Sequence, residues 1–253
     1  MLKDKVCVVT GAASGIGLAI AEMFAAEDAK VVMVDINEDA LKAHCERLNA
    51  KYVVADLSKR ADCKNVVDKA VEWHKSVDVL VNVAGIQTVS PVEDFPEDKW
   101  DFMINLMLTA PFLLTRYSWP FMKANKWGRV INLNSIHGLV ASEFKSAYVS
   151  AKHGLSGLTK TTALEGGPHG ITVNSICPSY VQTPLVDKQI AAQAATHGIS
   201  EEEVVSKIML QKAAVKKLLQ PSEVANVVKF LCADEASMIT GSTMTIDGGW
   251  TAA

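Results

Sequence analysis

Hydrophobic residues fall along this chain in short, continuous, β-branched runs, separated by longer stretches with helical spacing. VCVVT (6–10), KVVMVD (30–35), YVVAD (52–56), VDVLVNVAG (77–85), RVINLNS (129–135), ITVNSIC (171–177) and TMTID (243–247) read as seven strands. The runs are apolar throughout rather than alternating, as expected when helices cover both faces of a parallel sheet. Helices are predicted from Gly15 to Glu27, over 38–48 and 60–75, from Pro96 to about Trp119, over 146–165, and from Pro221 onward. Regular βα alternation predicts an α/β fold: one Rossmann-type, doubly wound parallel sheet with helices on both faces. A closed (β/α)8 barrel would alternate in the same way, but the glycine pattern described below disfavours it.

Segment 184–217 interrupts the alternation and reads as an inserted helical pair. Pro184 suits a helix start, and Ser200 with Glu203 fits a capping box opening the second helix. Inserted segments near the carboxyl edge of a sheet tend to serve ligands. The pair is therefore expected to be a substrate lid on a single catalytic domain, residues 1–253. The plainer reading is a surface extension.

Composition narrows the function classes. The chain has 253 residues, 49% of them hydrophobic, enough for one large core. A net charge of -3, with no Lys/Arg run longer than a pair, argues against nucleic acid as a partner. No apolar run approaches the roughly 18 residues of a membrane span. MLKDKVCVVTG enters a strand at once, which is unlike a secretory signal. The five cysteines (Cys7, Cys45, Cys63, Cys177, Cys232) are far apart and form no C-x-x-C, so reduced thiols in a cytoplasmic protein are expected. Cys7 and Cys177 read as core residues. His44, His74, His153, His169 and His197 have no metal-like spacing, and no metal site is expected.

Candidate chemistry begins at VCVVTGAASGIGLAIA, where Gly11, Gly15 and Gly17 separate a strand from a helix. The spacing is G-x-x-x-G-x-G. It suits a tight turn, close backbone approach to a pyrophosphate and exposed helix N-terminal N–H groups, with Ser14 and Ile16 between the glycines. The second strand ends at Asp35, whose carboxylate can accept from both ribose hydroxyls and would repel a 2′-phosphate. Ser14 and Ile36 offer no cation there, so NAD rather than NADP is expected. Asp56 and Leu57 are placed for the adenine. Asn82, Ala84 and Gly85 of NVAG form a close-approach turn beside the adenosine ribose.

Tyr148 and Lys152 lie four residues apart on a predicted helix and share a face. An unperturbed tyrosine, with a pKa near 10, is a poor base at neutral pH. A neighbouring ammonium favours the phenolate, so Lys152 is expected to lower the Tyr148 pKa. Ser135 ends the fifth strand, where open α/β sheets bind ligands, and can hold the substrate oxygen. A Tyr-x-x-x-Lys pair alone is weak; with the glycine turn and a strand-end serine thirteen residues upstream it is strong.

With TGAASGIG, Asp56, NVAG, Ser135, YVSAK and ITGSTMTIDGG in view, the chain resembles the short-chain dehydrogenase/reductase family over essentially its whole length. The resemblance implies hydride transfer between NAD(P) and an alcohol or carbonyl. It also implies a homotetramer built partly from the catalytic helices. Ser135, Tyr148 and Lys152 take the family's catalytic roles by this match, and Lys152 also holds the nicotinamide ribose. Pro178, Val181 and Thr183 of ICPSYVQT lie by the nicotinamide, with Thr183 at the carboxamide. Two positions depart from the family pattern. Met107 stands where many members carry an asparagine of a water-linked proton relay, and Asn105, about 200° away on a regular helix, faces elsewhere. Ser179 replaces a usual glycine beside the cofactor.

Gln87, the run SIHGLV, Lys145, TPLVDKQI and the ending DGGWTA resemble the branch of that family acting on (R)-3-hydroxybutyrate and acetoacetate. That branch implies Gln87, His137, Lys145 and Gln189 around a substrate carboxylate, with Tyr180 packing over the methyl side. A cation among converging neutral donors suits a short hydroxy or keto acid. Plainer readings stand beside these: His137 satisfied within its loop, Lys145 solvated. The rival substrates are a hydroxysteroid, a polyol or a 3-oxoacyl thioester. A NAD-binding protein with weak catalysis is the rival from another class.

Overall fold

In the computed structural model, which describes residues 2–252, seven parallel strands form one sheet in the order β3-β2-β1-β4-β5-β6-β7. They are β1 (Val6–Thr10), β2 (Lys30–Asp35), β3 (Lys51–Val54), β4 (Val79–Asn82), β5 (Gly128–Leu133), β6 (Ile171–Pro178) and β7 (Thr243–Ile246). Every residue of β1, β4, β5 and β6 is buried, which is why these strands carry no polar alternation. The two faces still divide by the pleat. Val9, Met33, Val81 and Ile131 point to one core with Ile20 and Phe24 of α1 (Gly15–Ala26). Val228 of α9 (Pro221–Cys232) joins that core. Val8, Val32, Leu80 and Val130 point to the other face, covered by α3 (Arg60–His74) and α5 (Ala110–Asn125). Helix α2 (Glu38–Leu48) adds Leu41 to the first core, and α6 (Ser146–Gly166) packs on β6.

The strand order reverses between β1 and β4, and the chain leaves both at the same edge. Thr10 binds the two ends together: its hydroxyl accepts from the Val83 N–H at 2.8 Å and the Ala84 N–H at 3.1 Å. Such a switch point opens a crevice at the carboxyl ends of the strands.

Two elements differ from the sequence expectation. The helix predicted from Pro96 to Trp119 runs as α4 (Glu97–Ile104), a π-helical turn (Asn105–Thr109) and α5, which continues through Pro120 to Asn125. Pro120 removes one N–H from the helix, but burial of Leu113, Leu114 and Met122 carries it past that point. The inserted segment holds α7 (Pro184–His197) and the short α8 (Glu201–Glu203), which passes into a π-helical turn (Val204–Met209) and then irregular chain. Its capping box is as expected: Ser200 Oγ accepts from the Glu203 N–H at 3.2 Å, and Glu203 Oε2 from the Ser200 N–H at 3.1 Å. Val186, Ile190, Val204 and Met209 give this segment its own apolar cluster.

All five cysteines are buried and unpaired. Among the described residues, no helix is long and apolar enough to cross a membrane, and no group of three His, Cys, Asp or Glu side chains is placed to hold a metal.

Candidate active site

The turn from β1 into α1 is shaped by what its glycines lack. Gly11 has φ +62°, a conformation that side chains disfavour. A Cβ on Gly17 would lie 2.1 Å from the Gly11 carbonyl oxygen, so no side chain fits there. The turn is therefore tight and bare, and the free N–H groups of α1 face the crevice beyond it. Asp35, at the end of β2, is anchored above this turn. Its Oδ2 accepts from the Ala13 N–H at 3.1 Å, and its Oδ1 from the Ile36 and Asn37 N–H groups at 2.8 and 3.1 Å.

The crevice continues into a groove of about 280 Å³ lined by Gly11, Asp35, Gly85, Ser135, Tyr148 and Lys152. Ser14, Gly15, Ile16, Gly17, Ala84, Gln87, Pro178, Ser179, Val181 and Thr183 also border it. A second hollow of about 350 Å³ shares Gly11, Asp35, Ala84 and Gly85 and extends to Ile36, Asp56 and Leu57. Together these bring nearly every cofactor-binding residue expected from the sequence onto one continuous surface. Asn82 is the exception: it is buried beneath, and its Nδ2 donates to Asn132 Oδ1 at 2.9 Å. Asp56 borders the hollow, but its Oδ1 accepts from the Ser58 hydroxyl at 2.6 Å and its Oδ2 pairs with Lys59 at 3.2 Å. The Ser58 bond and the Lys59 charge hold its carboxyl below the ordinary range. Thr183 has its hydroxyl engaged at the start of α7, accepting from the Val186 N–H at 3.3 Å. Ser179 does not have a left-handed backbone, so that loop has no need of a glycine.

Ser135 sits in a sharp turn just past β5, and Asn134 fixes it there. Asn134 Oδ1 accepts from the Ser135 N–H at 3.0 Å, while its Nδ2 donates to the Ser156 hydroxyl on α6 at 2.8 Å. Helix α6 presents Tyr148 and Lys152 one turn apart on the face toward Ser135. Lys152 is only 4% exposed; its ammonium donates to the Leu133 carbonyl at 2.7 Å and lies 5.6 Å from the Tyr148 ring centre. Burial pulls the Lys152 pKa down to about 8, with a partial upward pull from the Cys177 thiol.

The expected lowering of the Tyr148 pKa is not what this geometry gives. Burial raises it, and the one opposing influence is a hydrogen bond from Ser135. Lys152 does not offset the burial, because its charge is held against the Leu133 carbonyl rather than at the phenol oxygen. The remaining charge that would favour the phenolate is the cationic ring of an oxidised nicotinamide. The bare glycine turn, Asp35 and the continuous groove fit such a dinucleotide.

His137 is buried edge-on to Tyr148, ring centres 5.9 Å apart. Its Nδ1 is 3.4 Å from Ser135 Oγ and its Nε2 is 2.8 Å from Ser142 Oγ, so both nitrogens are engaged within the chain. Burial, then the charge of Lys145, lowers its pKa to about 4. Lys145 precedes α6, and burial lowers its pKa as well. Of the residues expected around a carboxylate, Gln87 lines the groove, whereas His137, Lys145 and Gln189 are not among its lining residues. Tyr180 packs against the apolar cluster of the inserted segment.

Met107 is buried at the π-helical turn among Met103, Ala147 and Ala151, and a Cβ on Gly85 would lie 3.3 Å from its sulfur. Asn105, in the same turn, is half-buried and does not line the groove. Sequence reasoning gave no role to Thr10, to Ser142 or to the clamp formed by Asn134. Thr10 reads as an ordinary β-branched strand end, and Ser142 as loop; only the fold brings them to the site.

The family model described as "Enoyl-(Acyl carrier protein) reductase" matches residues 11–251. Two proteins named D-beta-hydroxybutyrate dehydrogenase are similar along their whole lengths. The one from Rhizobium meliloti (strain 1021) is 45% identical, covering 98% of this chain and 99% of its own. The one from Cupriavidus necator (strain ATCC 17699) is 43% identical, covering 100% of both. The crystal structure of levodione reductase superposes with a TM-score of 0.93 at 31% identity, covering 100% of both chains. Glycine turn, serine, tyrosine and lysine thus stand in a fold and a sequence that agree, and the chain belongs to the short-chain dehydrogenase/reductase family.

Proposed function

We propose that the protein interconverts (R)-3-hydroxybutyrate and acetoacetate with NAD as cofactor. The observation that carries this reading is Lys145, a half-buried cation at the N-cap of α6, less than one turn before Tyr148. A cation at that distance from an alcohol-handling group suits a short hydroxy acid. The names of the similar proteins support the same substrate.

Asp35 supports NAD. It borders both halves of the groove, and the hollow around Asp56 and Leu57 has no Lys or Arg in its lining to receive a 2′-phosphate. When bound, the nicotinamide takes or returns the hydride. The protein's own part is to orient the substrate oxygen with Ser135 and to move its proton at the Tyr148 hydroxyl. Lys152 keeps a positive charge beneath them. Gln87, Lys145 and Gln189 hold the carboxylate, the last carried by α7 as the inserted segment closes as a lid. His137 supports that set from behind, its two nitrogens being engaged by Ser135 and Ser142. Exposed Phe112 on α5 and Leu164 on α6 support assembly through those helices into a homotetramer; sedimentation of a monomer would remove that assignment. A cytoplasmic location accords with the buried free thiols, and cell fractionation would check it.

Steady-state rates with NAD and NADP across 3-hydroxybutyrate, a hydroxysteroid, a polyol and a 3-oxoacyl thioester test the reading. Lys145→Ala is expected to raise KM for 3-hydroxybutyrate about tenfold or more, the scale of one charge-assisted hydrogen bond. An unchanged KM would sink the carboxylate assignment.

A further inference from the structure

Tyr148, having taken a proton from the substrate alcohol, must return it to solvent before the next oxidation. With substrate and cofactor filling the groove, the site has two sides through which that proton could pass. On the side of the π-helical turn stand Met103, Met107, Ala147 and Ala151, all buried and none able to donate a proton. Lys152, beneath, is tied to the Leu133 carbonyl. On the other side a row of exchangeable groups leads outward. Ser135 Oγ faces Tyr148 and lies 3.4 Å from His137 Nδ1; His137 Nε2 lies 2.8 Å from the hydroxyl of Ser142, which is partly exposed. The first spacing is at the long end for a hydrogen bond, and such bonds tighten when a site closes on its substrate.

We propose that the catalytic proton leaves through Ser135, His137 and Ser142, on the side of the site opposite Met107. This rests on the dehydrogenase reading for the proton's origin, and it gives His137 a role in proton transfer in place of direct contact with the carboxylate. The carbinol O–H bond breaks and its proton joins the Tyr148 phenolate, the hydride being taken by the nicotinamide. Tyr148 passes a proton to Ser135 Oγ as the Ser135 proton moves to His137 Nδ1. The proton on Nε2 moves to Ser142 Oγ, and the Ser142 proton goes to water. The ring begins as the Nε2–H tautomer; once product has left and water refills the groove, the Nδ1 proton passes through Ser135 to that water and Nε2 takes a proton from solvent through Ser142, which restores it. Reduction runs the same path inward. With its pKa near 4, the ring enters the cycle neutral, as a relay of this kind requires.

Ser142 is a positioning residue that touches neither substrate nor cofactor, so Ser142→Ala isolates the path. Turnover is expected to fall about tenfold, the low side of what an aligned proton-transfer group contributes. The solvent deuterium isotope effect on kcat should grow, the isotope effect from carbinol deuterium should shrink, and added imidazole should restore part of the rate. Cofactor affinity should stay the same. A merely structural role for Ser142 would move neither isotope effect. In the wild-type protein, 15N shifts of His137 should report the Nε2–H tautomer. Unchanged isotope effects in Ser142→Ala, or an Nδ1–H tautomer, would overturn the path. The rates are measured on whichever alcohol the wild type oxidises, so failure with 3-hydroxybutyrate alone removes only the substrate assignment. If no alcohol is oxidised, the dehydrogenase reading fails and the tautomer alone decides whether the relay is built.

Discussion

Lys152→Met should abolish turnover and yet make the folded protein more stable at neutral pH. The lysine is 4% exposed, and burial drops its pKa from 10.5 to about 8. That difference is worth about 3 kcal/mol, at about 1.4 kcal/mol for each tenfold change in proton affinity. The sign follows from which state holds the proton. The unfolded chain keeps it up to pH 10.5, whereas the folded chain releases it near pH 8. Between those values the unfolded state binds more protons, so wild-type stability gains as pH rises. Below pH 8 the folded protein carries the whole penalty of a buried ammonium. Methionine fills similar space without charge, but it leaves the Leu133 carbonyl unpaired at a cost of about 1–2 kcal/mol. The net gain for the variant at pH 7 is then about 1–2 kcal/mol. The cleaner quantity is the pH dependence, from which the carbonyl cost cancels. The variant's advantage should shrink by about 2 kcal/mol between pH 7 and 9.5, roughly 4–8 °C in Tm for a chain of this size. Buried thiols such as Cys45 and Cys63, raised to about 11, also lose stabilisation at alkaline pH, but equally in both proteins. Thermal unfolding of both proteins at the two pH values is the assay. A variant less stable than wild type by the same amount at both would refute the reasoning, because it would mean that Lys152 is buried without penalty.

Asp35→Asn should lower the NAD-to-NADP preference in kcat/KM by about ten- to a hundredfold, the scale of one or two charge-assisted hydrogen bonds; an unaltered preference would detach Asp35 from cofactor choice. Gly17→Ala places a methyl 2.1 Å from the Gly11 carbonyl oxygen. Forcing that backbone apart should cost about 1–3 kcal/mol in thermal stability and weaken cofactor binding by at least about tenfold in a fluorescence titration. Wild-type binding would show that the turn can open freely.

The fold was legible because its signals are local and repeated. Seven apolar runs, each too short for a helix, permit few arrangements once the connections are helical. The glycine turn between β1 and α1 was legible for the same reason, since Gly11, Gly15 and Gly17 act through the absence of atoms at fixed spacing. What stayed hidden depends on neighbours distant in the chain. The π-helical turn at Asn105–Thr109 has no proline or glycine to announce it, and the regular-helix geometry applied to Asn105 and Met107 does not hold within it. The direction of the Tyr148 shift was missed because four-residue spacing places Lys152 on the right face but says nothing of Leu133, nineteen residues back, whose carbonyl holds the ammonium.

The groups proposed to perform the chemistry and those proposed to choose the substrate are fixed to the fold in different ways. Ser135, Tyr148 and Lys152 are held by β5, by α6 and by the buried bonds of Asn134 and Leu133. Gln189 and Tyr180 belong to a segment with its own small apolar cluster. Both ends of that segment meet in one short bridge, where Val181 pairs with Leu219, the Leu219 N–H donates to the Tyr180 carbonyl, and the Gln182 N–H donates to the Leu219 carbonyl. Few bonds hold the segment elsewhere on the sheet edge, apart from Ala214 and Val215, whose N–H groups share the Gly248 carbonyl. Elements fixed at so few points open at lower free energy than core strands. Gln189, carried on that segment and not among the residues lining the groove, is therefore placed as a protein of this construction should place it before a substrate anion draws it in.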